Sequence, residues 1–495
     1  AFNQYLARCG AMLMQGHFVA DVAYYKGGHI PNFSTTKYIR PDLGFGYDYD
    51  DLNTEILLQI TEVKNGRIVL PSGMAYELLV LPEGDQMELA VLQKIEELLQ
   101  KGATVSGPKP SRTYGLADYQ EKERQLNELA DKIWGKSPRK IDKEYGQGRI
   151  IYGKTAREVL EQAQVFPDLQ VLDGKRDPHI DFIHRTTAAK DLYFIRNTDS
   201  LSTRVKLKFR AKGVPEFWHP ESGNMQPVVV FRQDKTGTII PLQLDPFASV
   251  FLVFDKAGTV PDHITVITTN GEPVYPAISD VAEGVLVRKD EQRITLTGDV
   301  SGAYSVEFDD GEKVSVSIDD QVVHAIEGSW QVRYPAGWGV ATDQTFDTLS
   351  DWTSFADPDL KYFSGIATYR KTFTVEPESI DHTSSWVLDL GSVGEVATVY
   401  LNGTALGHSI FPPHKLEITD RLKPGENFLV IEVANTWKNR LIRDTQLPFD
   451  QQLTQSNLSN SKDPQDRPWK DMTPSASGLI GPVKLIKRHQ TEINP

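Results

Sequence analysis

The stretch Val399–Ser409, VYLNGTALGHS, contains the clearest turn signal of this chain. Alternating apolar residues lead into Asn402-Gly403, and the alternation resumes behind that pair. Both residue types tolerate a positive φ, so the pair predicts a type I′ β-hairpin. Asn402-Gly403-Thr404 is also a formal glycosylation sequon, as are Asn32-Phe33-Ser34 and Asn457-Leu458-Ser459. We interpret the first as a bare turn, because a three-residue pattern arises by chance in a long chain.

Short strands surround this hairpin throughout residues 326–495, which predict a final β-sandwich domain. Its segments include GSWQVRY, ATYRKTFTV and KLEITDRLKPGENFLVIEVAN. A polar stretch, Gln451–Ser477, reads as a long surface loop. The strand GLIGPVKLIKR follows it, which indicates that the chain returns to close the sandwich.

The first 172 residues alternate strands and helices and predict a doubly wound α/β domain. VADVAYY and AYELLVLPE are short apolar runs, as expected for parallel strands covered on both faces. DQMELAVLQKIEELLQKG carries a helical apolar stripe, with Asp85 as the predicted cap and Glu88 completing a capping box. Residues 173–255 and 256–325 contain only strand and turn patterns, so we predict two β domains there, the second sandwich-like.

Composition excludes several classes of partner. The net charge of −14 argues against nucleic acid and anionic membranes, because phosphate-binding proteins concentrate Lys and Arg. No apolar run approaches the roughly 18 residues that would span a bilayer. The single cysteine, Cys9, shares a helical face with Leu6 and Leu13, so we predict a buried core thiol.

The last domain resembles the jelly-roll, galactose-binding-like domain of family 2 glycoside hydrolases. The resemblance rests on YRKTFTV, LDLGSVGEVATVYLNGTALG and EITDRLKPGENFLVIEVAN. HSIFPPHKLEIT follows the hairpin in place of the family's GGY-like segment, so no ligand contact is carried over.

A second resemblance extends over nearly the whole chain, to the C-terminal region of family 106 glycoside hydrolases, the α-L-rhamnosidases. YLARCGAMLMQG, GFGYDYDDLN, GATVSGPKPSR, DFIHR, EFWHPESG, NTWKNRLIRD and GLIGPVKL carry it in order. The resemblance implies an inverting enzyme whose catalytic (β/α)8 barrel precedes this region, with residues 1–16 as its last helix. The resemblance leaves open whether the parent enzyme binds calcium. In this chain we expect no cofactor.

Hydrolysis of a glycosidic bond by inversion needs two carboxylates about 6.5–9.5 Å apart. The resemblance implies that both catalytic glutamates lie in the barrel. Glu216, Glu327 and Glu417 lie in or beside predicted strands, where solvated faces explain them. We therefore predict no catalytic residue and no hydrolytic activity in this chain.

Residues 1–172 also resemble a class I glutamine amidotransferase domain, as found as an accessory domain in several glycosidases. That chemistry needs a cysteine at a strand-to-helix elbow, served by a histidine. The strand ELLVLPEG is followed by Asp85-Gln86 and no cysteine. We therefore predict a catalytically inactive domain that is kept for packing or assembly.

The acidic segment Gly44–Asn53, GFGYDYDDLN, allows three interpretations. Asp50 or Asp51 can cap the helix LNTEILLQI in a tyrosine-rich turn. Asp48 and Asp50 can instead lie in a loop that reaches the barrel's active site, an option that rests on the resemblance. Clustered oxygens also suit Ca²⁺, but no EF-hand spacing is present. We retain Asp48 and Asp50 as candidate substrate-binding residues and predict no metal site.

NTWKNRLIRD offers a second candidate site, made of Trp437, Asn439 and Arg440. Sugars stack a C–H face on an aromatic ring while amide and guanidinium groups donate to hydroxyls. Alternatively, Trp437 plugs the end of the sandwich and Arg440 pairs with Asp444 at i, i+4. Trp330 alternates into a strand and is predicted to be core, whereas Trp338 and Trp352 fall in loops and are weaker binding candidates.

The function favoured by these observations is a non-catalytic C-terminal part of a glycoside hydrolase resembling the α-L-rhamnosidases. Its expected partners are a rhamnose-containing glycan and its own missing barrel, with no nucleic acid and no membrane. The family resemblance implies a secreted or periplasmic location. The alternative is a stand-alone carbohydrate-binding or scaffolding protein without enzymatic activity.

Overall fold

The computed structural model describes most of the 495-residue chain. The described residues are 2–28, 37, 39–136, 140–173, 179–279, 281–290, 293–381, 383–454, 462–463, 465 and 467–493. The sequons at Asn32 and Asn457 lie outside them. Most of the regular structure is β-sheet, and one α/β unit opens the chain.

The α/β unit is built on a six-stranded sheet. Five strands run parallel in the order second, first, third, fourth, fifth, and an antiparallel strand forms one edge. This order is one of the two common doubly wound arrangements. In chain order the parallel strands are Val22–Tyr25, Tyr49–Leu52, Leu78–Val80, Thr104–Ser106 and Gly148–Tyr152, and the edge strand is Ile141–Tyr145.

Apolar residues cover both faces of this sheet, as the continuous apolar strands predicted. All four residues of Val22–Tyr25 are buried, because successive side chains enter opposite cores. One face packs against three helices and the other against a short fourth helix and the chain near Tyr47. The helices are Thr54–Gln59, Leu89–Gln100, Tyr119–Trp134 and Ala156–Gln162; a small separate sheet contains Glu62–Lys64, Arg67–Val69 and Ala75–Tyr76.

Two capping predictions were wrong. The helix Leu89–Gln100 begins after Glu88, which makes no side-chain cap hydrogen bond. Asp85 instead accepts hydrogen bonds from Arg112. The helix Thr54–Gln59 is capped by Asn53, whose side chain accepts from the backbone N–H of Ile56 at 2.8 Å.

A β-sandwich follows the α/β unit, and its core lies between two sheets. One sheet contains His17–Phe18, Ile180–Thr186, Lys190–Asn197, Ser249–Asp255, Val214–Trp218 and Met225–Pro227. The other contains Leu169–Val171, Thr203–Phe209, Gly237–Leu244 and Arg232–Asp234.

The N-terminal helix Phe2–Leu13 packs on the outer face of the first of these sheets. Cys9 is buried there against Leu192, Phe251 and Val253. The prediction of a core thiol for Cys9 is therefore confirmed.

The third unit is also all-β. One sheet contains Ile264–Thr269, Glu272–Pro273, Gly302–Phe308 and Lys313–Ile318; the opposing strands are Val285–Asp290, Arg293–Gly298 and Val322–Ala325. Asn270 and Gly271 both have positive φ, as the predicted hairpin turn requires.

The last unit is a sandwich of two antiparallel sheets around a tryptophan-rich core. One sheet contains Asp343–Phe346, Trp330–Arg333, Ile366–Val375, Gly425–Ala434, Val396–Leu401 and Thr404–Ser409. The facing layer is formed by the strands Ser384–Asp389, Lys415–Glu417 and Lys484–Ile493, and a separate pair is formed by Ser392–Gly394 and Gly478–Gly481. The short helices of this unit are Pro358–Lys361 and Lys438–Asp444. Its 3₁₀ turns are Trp352–Ser354, Pro377–Ser379, Phe449–Gln451 and Trp469–Asp471.

The hairpin at Asn402-Gly403 forms as predicted, with φ values of 54° and 81°. The Asn402 amide donates to the Arg421 carbonyl and the Asn427 side chain, and its oxygen accepts from the N–H of Phe428. These bonds occupy the Asn402 side chain and favour the turn interpretation over a glycan acceptor.

The final strand, Lys484–Ile493, closes the sandwich as predicted and also continues into the third unit. It pairs with Ser384–Asp389 at its start and with Arg293–Gly298 at its end, while Val322–Ala325 pairs along its first half. One sheet therefore crosses the domain boundary that was predicted between residues 325 and 326. The domain limits given above remain predictions.

Across the described ranges, the helices lack the combined length and apolar character that crossing a bilayer requires.

Candidate functional site

Two tryptophans lie together at one end of the last sandwich. Trp437 follows the strand Gly425–Ala434, and 56% of its surface is exposed. Its ring centroid is 5.6 Å from that of Trp338, with the planes tilted by 42°. Trp338 is half-buried and rests edge-on against Phe363. The exposed indole of Trp437, supported from behind, offers an apolar face to which a sugar ring can stack.

Asn439 and Arg440 do not join this surface, which corrects the proposed three-residue platform. Asn439 is buried; its amide donates to the Ser475 carbonyl and the Ser477 hydroxyl, and its oxygen accepts from the N–H of Ser475. Arg440 is buried and pairs with Asp444 across one helical turn. Their polar groups hold the helix Lys438–Asp444 to the sandwich, and the i, i+4 interpretation of Arg440 is the one observed.

Trp330 and Trp352 both lie in the core of the last sandwich. Trp330 is 2% exposed, so its core assignment is confirmed. Trp352, predicted to be a weaker binding candidate in a loop, is only 1% exposed and donates its indole N–H to the Tyr369 hydroxyl. That prediction was wrong, because the short 3₁₀ turn carrying Trp352 folds inwards over the sandwich core.

Asp48 and Asp50 are also internal, which corrects their assignment to a loop available to substrate. Asp48 is 1% exposed, accepts from the Lys37 ammonium at 2.5 Å, and precedes the parallel strand Tyr49–Leu52. Asp50 lies on that strand and accepts from the Tyr76 hydroxyl at 2.9 Å. Burial raises the pKa of Asp48 to about 6, against the opposing effect of Lys37. Both carboxylates are therefore engaged by partners within the α/β unit.

The carboxyl ends of the parallel strands border a crevice of about 730 Å³. Doubly wound domains bind ligands in this position. Tyr25, Glu83, Gly107 and Lys154 line the crevice. The only cysteine of the chain, Cys9, lies in the N-terminal helix against the first β-sandwich, so no thiol serves this crevice.

A buried ionic network joins the α/β unit to the first β-sandwich, and the sequence analysis missed it. Asp168 accepts from the Tyr193 hydroxyl at 2.6 Å and lies 2.7 Å from Nδ1 of His184. Arg210 bridges the two units, with Asp21 at 2.9 Å and Asp168 at 3.5 Å. The network borders a cavity of about 440 Å³.

The charges of this network shift each other's pKa. Burial opposes ionisation of Asp168, but His184 and Arg210 outweigh it and hold the pKa of Asp168 below its usual value. Burial likewise opposes protonation of His184, but Asp168 and Asp191 raise its pKa above the usual value. DFIHR was the only sequence signal for this site, since it placed His184 in a strand without revealing its partners.

The glutamates considered from sequence make local hydrogen bonds or face solvent. Glu216 accepts from the indole N–H of Trp218, and Glu417 accepts from the N–H of Thr419. Glu327 is exposed. Within the described part of the chain, no group of three or more His, Cys, Asp or Glu side chains is arranged to hold a metal ion.

Comparison with known proteins shows which family this chain resembles. Residues 1–233 match the family model described as alpha-L-rhamnosidase. Residues 359–478 match the model described as glycosyl hydrolase 2 galactose-binding domain-like. The chain therefore resembles the rhamnosidase family of glycoside hydrolases and carries a galactose-binding-like domain. The family-model match lies in the N-terminal half of this chain, and not over the C-terminal family region that the sequence predicted.

Two individual relatives each match nearly the whole of this chain. The solved rhamnosidase from Novosphingobium sp. PP1Y is 30% identical, with a TM-score of 0.74, and the match covers 98% of this chain and 40% of that one. A protein of Formosa agariphila named "Putative beta-glucuronidase" is 27% identical over 674 residues, covering 98% of this chain and 56% of that protein. The chain thus spans only about half the length of the relatives it matches.

Proposed function

We propose that this chain is the non-catalytic C-terminal part of a glycoside hydrolase that hydrolyses terminal α-L-rhamnosides with inversion. Its role is to bind a rhamnose-containing glycan and to support a catalytic barrel encoded outside it. The observation that carries the binding role is the surface formed by Trp338 and Trp437 at one end of the last sandwich. The support role draws on the helix Phe2–Leu13, which is fixed to the first β-sandwich.

The α/β unit is proposed to be an amidotransferase-like accessory domain without its chemistry. Its doubly wound strand order supports the likeness. Its crevice has no nucleophilic cysteine, which supports a packing or assembly role. For a protein that acts on polysaccharide, we propose a secreted or periplasmic location.

Replacing Trp437 with alanine is expected to weaken binding of a rhamnose-containing polysaccharide by about 10-fold. The change removes the exposed aromatic face, and each tenfold loss corresponds to about 1.4 kcal/mol. Affinity gel electrophoresis in rhamnogalacturonan measures the effect. Phe428→Ala is the matched control, because Phe428 is a 44% exposed aromatic residue near the start of the strand Gly425–Ala434, whereas Trp437 follows the end of that strand. Equal retention of Trp437→Ala and the wild type would eliminate the stacking surface.

The chain by itself is expected to release no nitrophenol from p-nitrophenyl α-L-rhamnoside above the buffer rate. The reason is that the family resemblance assigns both catalytic glutamates to the barrel, and none of Glu216, Glu327 and Glu417 is matched to them. p-Nitrophenyl β-D-glucuronide provides a second arm, since one relative bears a glucuronidase name. Turnover of either substrate by the purified chain would contradict the non-catalytic role.

A further inference from the structure

A cleft of about 470 Å³ opens where four parts of the molecule meet, with Ser279 as a lining residue from the third unit. The N-terminal helix contributes Tyr5 and Arg8, the first β-sandwich contributes Asp245, and the last sandwich contributes Phe411. Its volume lies in the range of about 300–1,000 Å³ that is typical of small-molecule sites. The cleft is separate from the Trp338–Trp437 surface and from the crevice of the α/β unit.

Asp245 is the feature that singles out this cleft. Asp245 is 6% exposed. It directly follows the strand Gly237–Leu244 and lines the cleft. Within the described residues, its carboxylate makes no hydrogen bond and no ion pair within 4 Å. Burial raises its pKa to about 6, and the more distant Lys415 opposes that shift. An almost buried carboxylate without a partner is costly unless a ligand or water donates to it.

The walls of the cleft are fixed and offer both apolar and polar surface. The rings of Tyr5 and Phe411 meet edge to face at 6.0 Å and join the N-terminal helix to the last sandwich. Tyr5 is further anchored by a hydrogen bond of 2.9 Å to Ser249. Arg8 donates to the carbonyls of residues 220 and 221, at 2.9 and 2.6 Å. Other polar lining residues are His219, Ser222, Asn224, Ser279 and Ser409.

This combination fits a ligand that has hydroxyl donors and an apolar C–H face. A carboxylate only accepts hydrogen bonds once ionised, so it favours hydroxyl groups and disfavours anions. Three carboxylates, Asp245, Glu221 and Glu417, line the cleft together with two cations, Arg8 and Lys415, so carboxylates outnumber cations in the lining. The described residues hold no cluster suited to a metal ion.

We propose that this cleft is a second carbohydrate site that takes one or two neutral sugar units. The Asp245 carboxylate accepts from ring hydroxyls, and the ring of Phe411 supplies the apolar contact. The proposal shares with the proposed function only the premise that the protein handles carbohydrate. It places carbohydrate binding at the junction of four parts of the molecule rather than at the end of the last sandwich alone.

Isothermal titration calorimetry of the full chain at pH 7.5 with L-rhamnose, D-galactose and D-glucuronate tests the proposal. At least one neutral sugar is expected to bind, with D-glucuronate at least about 10-fold weaker. Asp245→Asn is expected to weaken the neutral sugar about 10-fold, because a charged acceptor is replaced by a neutral one. Phe411→Ala is a second variant with an expected loss of similar size.

Thermal unfolding shows whether the Asp245→Asn variant is folded, so that lost sugar binding can be distinguished from lost structure. Asp245→Asn removes a buried charge that has no partner, so its melting temperature should equal or exceed that of the wild type. Absence of neutral-sugar binding by the folded wild type, or undiminished binding by both variants, would overturn the proposal. Tighter binding of D-glucuronate than of the neutral sugars would also overturn it.

Trp437→Ala separates the two sites. It is expected to leave monosaccharide binding at the cleft unchanged while lowering polysaccharide retention. Loss of polysaccharide retention in Trp437→Ala, with no monosaccharide binding in the wild type, would sink the cleft proposal and leave the proposed function standing. The reverse pattern would sink the stacking surface alone.

Discussion

Replacing Asp168 with asparagine should lower the free energy of unfolding by about 3–5 kcal/mol, the range for breaking a buried ion pair by removing one charge. Asp168 is 1% exposed and faces His184, Tyr193 and Arg210. Asparagine keeps the shape but leaves the imidazolium and the guanidinium without their shared counter-charge. Urea denaturation followed by circular dichroism measures the loss.

Asp181→Asn is the matched control for this prediction. Asp181 lies on the same strand as His184 and pairs with Arg196 at 3.0 Å, but both side chains are about half exposed. An exposed pair of this kind is worth about 0–1 kcal/mol. If Asp168→Asn costs no more than Asp181→Asn, the network does not hold the α/β unit to the first β-sandwich.

The same network gives the stability a defined pH dependence. The folded pKa of His184 is raised, so its contribution is complete below the unfolded value of about 6.5 and is lost as the pH rises through the folded pKa. The folded pKa of Asp168 is lowered, so its contribution is complete above about 3.9 and is lost as the pH falls through the folded pKa. The difference between the wild type and Asp168→Asn should therefore be largest between about pH 4 and 6.5.

Other charged groups around His184 act on this profile. Asp191 lies 3.4 Å from Nε2 of His184 and is itself paired with Lys256 at 2.9 Å. Asp21 has its pKa raised to about 6 by burial, so its ionisation also costs stability as the pH rises towards that value. Asp21 thus lowers the stability between about pH 4 and 6, and His184 lowers it as the pH rises from about 6.5 through the raised folded pKa of its imidazole. Unfolding midpoints at pH 5.5 and pH 8.5 measure the decline.

Local signals in the sequence predicted local structure well. Asn402-Gly403 and Asn270-Gly271 form the expected turns, because a positive φ at both positions is a property of the residues themselves. The alternation around Trp330 correctly placed it in the core. The apolar runs near Val22 and Leu78 correctly indicated buried parallel strands.

Long-range pairing explains what the sequence could not reveal. Asp48 and Asp50 look like a solvated acidic loop, but Lys37 and Tyr76 satisfy them only after the sheet has formed. Asp168 and His184 come from different elements and meet at the interface of two units. Asp85 has a suitable position for a cap, yet Arg112 from a separate loop takes its carboxylate. In each case a distant partner outweighed the local preference.

At the Trp338–Trp437 surface too, the local features could be predicted from sequence and the long-range contacts could not. Sequence reasoning placed Trp437 at the end of the last sandwich, because this aromatic residue follows a predicted strand. It did not determine whether Asn439 and Arg440 face the ligand or the protein. That outcome depends on Ser475 and Asp444, which meet the helix only in the folded chain.

Replacing Asp444 with alanine is the second substitution with a large expected effect, about 3–5 kcal/mol of lost stability. One oxygen of Asp444 pairs with Arg440, and the other accepts from the N–H and hydroxyl of Thr454. Those contacts hold the pKa of Asp444 below its usual value, despite burial. Alanine would leave the Arg440 guanidinium, only 3% exposed, without a counter-charge.

The loss should also reach the binding surface, because Trp437 directly precedes the helix Lys438–Asp444 that this pair holds in place. Polysaccharide retention of Asp444→Ala is therefore expected to fall along with its unfolding midpoint. Glu161→Ala is the matched control, since Glu161 pairs with Arg157 at the same i, i+4 spacing on the solvent-exposed face of a helix. That pair should contribute only about 0.3–0.5 kcal/mol. Equal losses for Asp444→Ala and Glu161→Ala would mean that the buried pair neither stabilises the sandwich end nor positions Trp437.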